Sequence, residues 1–251
     1  MQFHEGILLG IIQGLTEFLP VSSSGHLVLG QLFFGYTESQ LMFDISVHVG
    51  TLLAVIVVYF KDIMAILASL ARLPGGLSAG SPFSDQVRND LGLQMAVMII
   101  IGSVPTAIIG LGLKKIEHIL FTSSLLVSLM LLVTGTLLWV SRHYYHIKAH
   151  PVKGFGIREA VGVGIVQGMA VIPGISRSGS TIAAGMFLGM DRATAARFSF
   201  LLSIPAIIGA EAMGIAEMIH KGGTLDAVTF WATLASFVTG LVALKILIRL
   251  V

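Results

Sequence analysis

Residues 10–26 read G-I-I-Q-G-L-T-E-F-L-P-V-S-S-S-G-H, a polar interruption inside an otherwise apolar region spanning residues 5–34. Gln13 and Glu17 stand four residues apart and share one helical face. Pro20 ends that helix, and the serine run that follows restarts another. Split into two ordinary membrane spans, the region would leave about ten apolar residues for each, against about 20 needed to cross a bilayer. Backbone freed by such a break is tolerated at membrane depth only where protein or a wet cavity covers it. The stretch therefore predicts a re-entrant pair of half-helices.

Residues 157–190 repeat the design. At a constant offset of 154, Gly10, Ile11, Gln13, Gly14, Ser22, Ser24 and Gly25 fall on Gly164, Ile165, Gln167, Gly168, Ser176, Ser178 and Gly179. Seven identities over sixteen ungapped positions mark an internal duplication. The rest of the chain supplies crossing helices at about 43–60, 92–113, 119–141, 198–219 and 227–248. Three of them separate the copies, so the second copy is expected upside down, as in inverted-repeat membrane proteins. The expected fold is an all-α integral membrane protein: an inverted repeat with two re-entrant (broken) helix pairs and about five to six transmembrane helices. It forms one membrane domain over 1–251, with a first repeat at about 5–141 and a second, inverted repeat at about 157–251.

Composition agrees. The 251 residues are 55% hydrophobic and 11% charged, with a mean hydropathy of +0.92, too apolar for a wetted soluble surface. With no cysteine, disulfides and thiolate metal sites are excluded. Basic residues fall in short connections, with no groove interleaved with aromatics, so nucleic acid is not an expected partner. Apart from Arg177, eleven Lys and Arg from Lys61 to Arg249 fall on one side of this topology, and only Lys114, Lys115 and Lys221 on the other. The positive-inside rule makes the first side cytoplasmic. Residues 1–60 carry no Lys or Arg, which puts the N-terminus outside. No signal-peptide pattern precedes the first segment, which is expected to stay in the mature protein. Residues 72–90 are turn-rich and are expected to form a flexible cytoplasmic connection. The His- and Arg-rich stretch 142–158 reads as a topology determinant rather than a metal or anion site.

Ionisable groups at membrane depth cost about 2.5 kcal/mol or more and are functional by default. That singles out Glu17 and Arg177, then His26. Serine-capped helix starts in both copies, with a guanidinium at one of them, suit a phosphate. Asp44, His48 and Glu211 are weaker candidates: Asp44 serves equally well as a helix N-terminal charge, His48 stands one turn on where it can pair with Asp44, and for Glu211 a solvated span end is the simpler explanation.

These segments resemble the bacterial undecaprenyl-diphosphate phosphatase family of the bacitracin-resistance type. The likeness rests on Q-G-L-T-E-F-L-P-V-S-S-S-G-H (13–26) and P-G-I-S-R-S-G-S-T (173–181), and extends through D-I-S-V-H-V-G-T-L-L-A-V (44–55) and R-F-S-F-L-L-S-I-P (197–205). It implies hydrolysis of undecaprenyl diphosphate to undecaprenyl phosphate and inorganic phosphate, recycling the lipid carrier for peptidoglycan synthesis in the bacterial cytoplasmic (inner) membrane. On this resemblance Glu17, His26 and Arg177 occupy catalytic positions, and Ser23 is a nucleophile or ligand. Gln13, Ser22, Ser24, Gly25, Ser176, Ser178, Gly179 and Thr181 are the expected substrate contacts. A divalent cation, Mg²⁺ or Ca²⁺, is expected, with Glu17 as its protein ligand. Bacitracin is expected to compete for the lipid diphosphate, and a homodimer is among the assemblies allowed. Two departures stand out. Gln13 replaces a glutamate that many members carry, which moves any acid–base or metal role to Glu17. Members also have a further span beyond Arg249-Leu250-Val251, which suggests a chain shortened before a last helix.

The nucleophile stays open among His26, Ser23 and metal-bound water. The rival from another class is a polyprenyl-phosphate transporter or flippase, since inverted repeats with broken helices also describe transporters. The site is expected to open to the outer face.

Overall fold

Leu19, held extended ahead of Pro20, stops the first helix where the sequence predicts. The computed structural model describes residues 1–36, 40–78, 82–116, 120, 123–142, 156–220 and 226–250. Among them are eleven helices and no strand. The first broken region is α1 (Phe3–Phe18) and α2 (Ser23–Phe33), and the second is α8 (Ile157–Met169) and α9 (Arg177–Phe187). Between and after them run α3 (Leu41–Val58), α4 (Phe60–Ser78), α5 (Phe83–Asn89), α6 (Leu91–Lys114), α7 (Ser124–Ser141), α10 (Arg192–His220) and α11 (Ala227–Leu250). Helices α6, α7, α10 and α11 are long and apolar enough to cross a membrane, and α3 with α4 forms a fifth candidate bent by 72°. Ile100, Ile108, Leu125, Leu132 and Phe230 face outward on these helices, as lipid-facing residues do. The protein is a multi-pass membrane protein.

Two expectations need correction. Helix α10 begins at Arg192, six residues before the expected 198. Asp191 sets that start by accepting from the Thr194 amide at 2.8 Å and its hydroxyl at 2.5 Å. The stretch 72–90 is not a simple connection: α4 continues through Pro74 to Ser78, and α5 follows. The stretch 143–155 and Lys221 lie outside the described residues.

Asp90 ties α4 to α6. As N-cap of α6 it accepts from the amides of Gly92 at 2.9 Å and Leu93 at 3.1 Å, and from the Ser69 hydroxyl of α4 at 2.6 Å. Arg72 pairs with its second oxygen at 3.1 Å. The Ser69 hydrogen bond, with those amides and the Arg72 charge, holds the Asp90 carboxyl below its ordinary value against the opposing effect of desolvation. A depressed folded pKa stabilises the fold above the unfolded pKa, and that contribution is lost as pH falls through the folded value. Asp90→Ala is therefore expected to cost about 1 kcal/mol. Thermal melting in detergent should show the difference from wild type at neutral pH and its disappearance in acid.

The two broken regions are gripped by the same small residues. A Cβ on Gly10 of α1 would lie 2.3 Å from the Ala232 carbonyl oxygen of α11. One on Gly164 of α8 would lie 2.1 Å from the Gly102 carbonyl oxygen of α6. Gly14 and Gly168, one turn on, meet Thr239 and Ile109 at 2.0 and 2.8 Å. Close approach of this kind lets membrane helices pack without a hydrophobic driving force. Hydroxyls add cross-helix bonds: Ser236 to the Val47 carbonyl and Thr106 to the Gly164 carbonyl, both at 2.8 Å. Below the end of α1, fully buried Phe18 packs edge-on against Phe200 with ring centroids 5.9 Å apart, which fixes the residue beside it, Glu17.

Candidate active site

The half-helices restart on equivalent serines. Ser22 caps α2 and Ser176 caps α9, accepting from the amides of Gly25 at 3.4 Å and Gly179 at 3.1 Å. At the first two positions of each helix, Ser23 and Ser24 or Arg177 and Ser178, the amides have no intrahelical acceptor. Ser22 reaches its place at φ +66°, the one non-glycine with positive φ among the described residues, a conformation that clusters at functional sites. In the second copy the reversal falls instead to Gly174, at φ +94°. Thr134 of α7 staples this turn: it donates to the Gly174 carbonyl at 2.9 Å and accepts from the Ser176 amide at 3.0 Å.

The two turns are wedged into each other. A Cβ on Gly25 would lie 3.3 Å from Gly174 Cα, and one on Gly179 would lie 2.9 Å from Pro20 Cβ. Offset by 154, these are the same contact made twice in opposite senses. The two helix starts therefore meet.

What they meet around is Glu17, only 7% exposed. Its Oε2 accepts from Gln13 Nε2 at 2.9 Å and from Ser23 Oγ at 2.6 Å, and its Oε1 accepts from Arg177 Nη2. Ser23 and Arg177 occupy equivalent positions in the two copies, the first residue of each restarted helix. Glu17 has no counterpart, since its equivalent is the exposed Val171. One carboxylate thus collects the matching donors of both halves. Two buried polar atoms beside it lack a partner among the described residues, Arg177 Nη1 and Gln13 Oε1. A buried guanidinium nitrogen without an acceptor carries a full desolvation cost, which an anionic ligand oxygen would relieve.

The family described as bacitracin resistance protein BacA matches residues 6–251. The chain belongs to the BacA family. Among its relatives are undecaprenyl-diphosphatases of Desulforapulum autotrophicum, 53% identical over all of this chain and 91% of the relative, and of Desulfosudis oleivorans, 56% identical with the same coverage. A third, from Desulfatibacillum aliphaticivorans, is 46% identical with the same coverage. The Glu17 cluster therefore sits in a BacA-family chain whose relatives are named as phosphatases.

Of the residues expected in the site, Gln13, Glu17, Ser23 and Arg177 are joined directly. His26 is not hydrogen-bonded to them among the described residues. It stands in the first turns of α2 with Nδ1 2.8 Å from the Ser22 carbonyl oxygen. A carbonyl only accepts, so Nδ1 carries a proton and Nε2 is the nitrogen left to exchange one. Ser22 and Ser176 are occupied as caps. Ser24 and Ser178 lie 3.4 Å from those cap hydroxyls, and Ser178 also faces the Leu19 carbonyl at 3.4 Å. Three further residues expected at the substrate also make structural contacts. Gly25 and Gly179 form the wedge. Thr181, fully buried, turns its hydroxyl to the Arg177 carbonyl at 2.7 Å and to Ser199 of α10.

Sequence reasoning passed over Thr134 and underrated His48, whose Nε2 lies 3.9 Å from Glu17 Oε2. An i, i+4 Asp44/His48 pair inside a span was the available signal. Glu17 fits poorly as the protein ligand of a cation. Its carboxylate already receives three donors, one of them cationic, and no group of three His, Asp or Glu suited to a metal occurs among the described residues.

Proposed function

We propose that this protein hydrolyses undecaprenyl diphosphate to undecaprenyl phosphate and inorganic phosphate, with Ser23 as nucleophile and Glu17 as its proton acceptor. The observation that carries the reading is the 2.6 Å hydrogen bond from Ser23 Oγ to Glu17 Oε2, beside an Arg177 nitrogen that is buried without an acceptor among the described residues. A serine hydroxyl is a weak nucleophile until an adjacent base takes its proton. Arg177 and the helix-start amides bind the diphosphate and offset the charge that develops on it. Ser23 Oγ attacks the terminal phosphorus, the anhydride bond breaks, undecaprenyl phosphate leaves, and the serine proton passes to Glu17. Water, deprotonated by His26 Nε2, then attacks the phosphoserine. The Ser23 oxygen leaves and recovers its proton from Glu17, and His26 gives up its own to solvent.

The lipid tail of the substrate matches a protein whose outer helical faces are apolar. The carrier so regenerated re-enters peptidoglycan synthesis, and bacitracin, by sequestering the lipid diphosphate, competes with the enzyme. The protein lies in the bacterial cytoplasmic membrane with its N-terminus outside, and its site opens to the outer face; the absence of Lys and Arg from residues 1–60 supports this orientation. Mg²⁺ or Ca²⁺ would spread the charge developing on the leaving phosphate, and Glu17, already receiving three donors, would be a poor ligand for it.

Purified protein in detergent, given undecaprenyl diphosphate with and without EDTA, tests the reading. Phosphate release is expected without a second compartment, which a transporter would need. Acid-stable phosphoserine at Ser23 should appear on rapid quenching, and Ser23→Ala should lose about 10³-fold or more in kcat. Acid-labile phosphohistidine at His26, or solvent ¹⁸O entering phosphate with no covalent intermediate, would replace Ser23 as nucleophile.

A further inference from the structure

The imidazole of His48 is held in one orientation by its own helix. Its Nδ1 lies 2.7 Å from the Asp44 carbonyl oxygen, an atom that can only accept, so Nδ1 carries a hydrogen in every protonation state. Nε2 is then the one nitrogen that titrates, and it points at Glu17 Oε2 across 3.9 Å. A neutral ring would set a lone pair against a carboxylate. A protonated ring would set an N–H there.

Carboxyl groups from three helices stand around the ring. Glu17 of α1 and Glu211 of α10 both lie within electrostatic reach of His48, as does Asp44 of its own helix. Glu211 Oε2 is buried with no partner among the described residues, and Asp44 accepts from Gln31 of α2 at 2.6 Å. Of the other helices against α3, α4 follows its C-terminal end, with Lys61 and Asp62 in its first turn, and α11 carries no titratable residue between Thr229 and Gly240, reaching this level through the Ser236 hydroxyl on the Val47 carbonyl. Arg177 approaches Glu17 on the opposite oxygen.

We propose that His48 is a positioning residue for the phosphatase site: its Nε2–H, aimed by the Asp44 carbonyl, keeps Glu17 charged and oriented toward Ser23 while Arg177 turns to the diphosphate. This rests on Glu17 and Ser23 acting as proposed above. In the resting arrangement Arg177 neutralises Glu17. Substrate phosphate competes for the same guanidinium, and a second cation on the other oxygen keeps the carboxylate ionised, hence able to take the serine proton. His48 touches no reacting atom and acts through Glu17 alone.

The test compares His48→Gln and His48→Lys with wild type in phosphate release from undecaprenyl diphosphate across pH, alongside thermal melting in detergent. His48→Gln is expected to lower kcat about 10- to 100-fold, the usual size for losing a residue that orients a catalytic ligand, with KM changed little. Wild-type activity should fall on the alkaline side as Nε2 loses its proton. That limb should vanish from the Gln variant and move to higher pH in the Lys variant, whose charge should also recover part of kcat. Because a purely structural role would lower the melting temperature and leave the pH profile alone, melting data with an unchanged profile overturn the proposal. Unchanged kcat in both variants does so too. Glu17→Gln separates the layers: if it is inactive while His48→Gln behaves as wild type, this inference alone fails, and if it keeps full activity, both readings fall.

Discussion

Arg177→Ala is expected to release phosphate about 10²- to 10³-fold more slowly than wild type, the range found when one preorganised donor to a developing oxyanion is removed. The loss has two sources. The guanidinium supplies Nη2 to Glu17 and leaves Nη1 buried without an acceptor among the described residues, so it is shaped to engage a second anion while holding the first. Removing it also leaves Glu17, 7% exposed, with only neutral donors and His48. Stripping one partner from a buried ion pair costs about 3–5 kcal/mol of stability. Steady-state kinetics and melting in detergent should therefore both respond, and Arg177→Lys should keep more stability than activity, because an ammonium lacks the planar fork that can face two anions at once. Wild-type turnover by the alanine variant would sink the site assignment.

The second large effect is on assembly. Gly164→Val should abolish monodisperse protein in detergent or lower its stability by about 3 kcal/mol or more, at the upper end of what overpacking costs. The added Cβ alone would stand 2.1 Å from the Gly102 carbonyl oxygen, and backbone cannot swing aside as a side chain does. Gly112→Val and Gly135→Val serve as controls, because nothing lies within 4 Å of a Cβ at either position. Size-exclusion profiles and melting temperatures decide the matter: equal behaviour of all three variants would show that α8 does not depend on contact with α6.

Much of this was legible in the sequence, for reasons that particular residues make plain. Pro20 and the serine caps announce a helix break by local chemistry, and five long apolar runs announce crossings by length. The pairing of Ser23 with Arg177 was implicit in the offset of 154, but only the wedged turns put both on one carboxylate. Helix α4 was illegible because Pro74-Gly75-Gly76 reads as a terminator. Its order comes from Ser69 and Arg72 meeting Asp90, a tertiary contact that overrides local propensity. His48 was undervalued because nothing in the chain order says that α3 lies beside α1. The bond of Thr181 to Ser199 of α10 was not legible either, because a motif position does not reveal which way a hydroxyl turns.

The double contact of Gly25 with Gly174 and of Gly179 with Pro20 also bears on inheritance. Neither half can enlarge its glycine without pressing on the opposite copy, Gly174 in one case and Pro20 in the other, so both halves keep glycine here although the residues they press on already differ. Position 17 and its counterpart 171 escape that limit, and there the halves were free to become different.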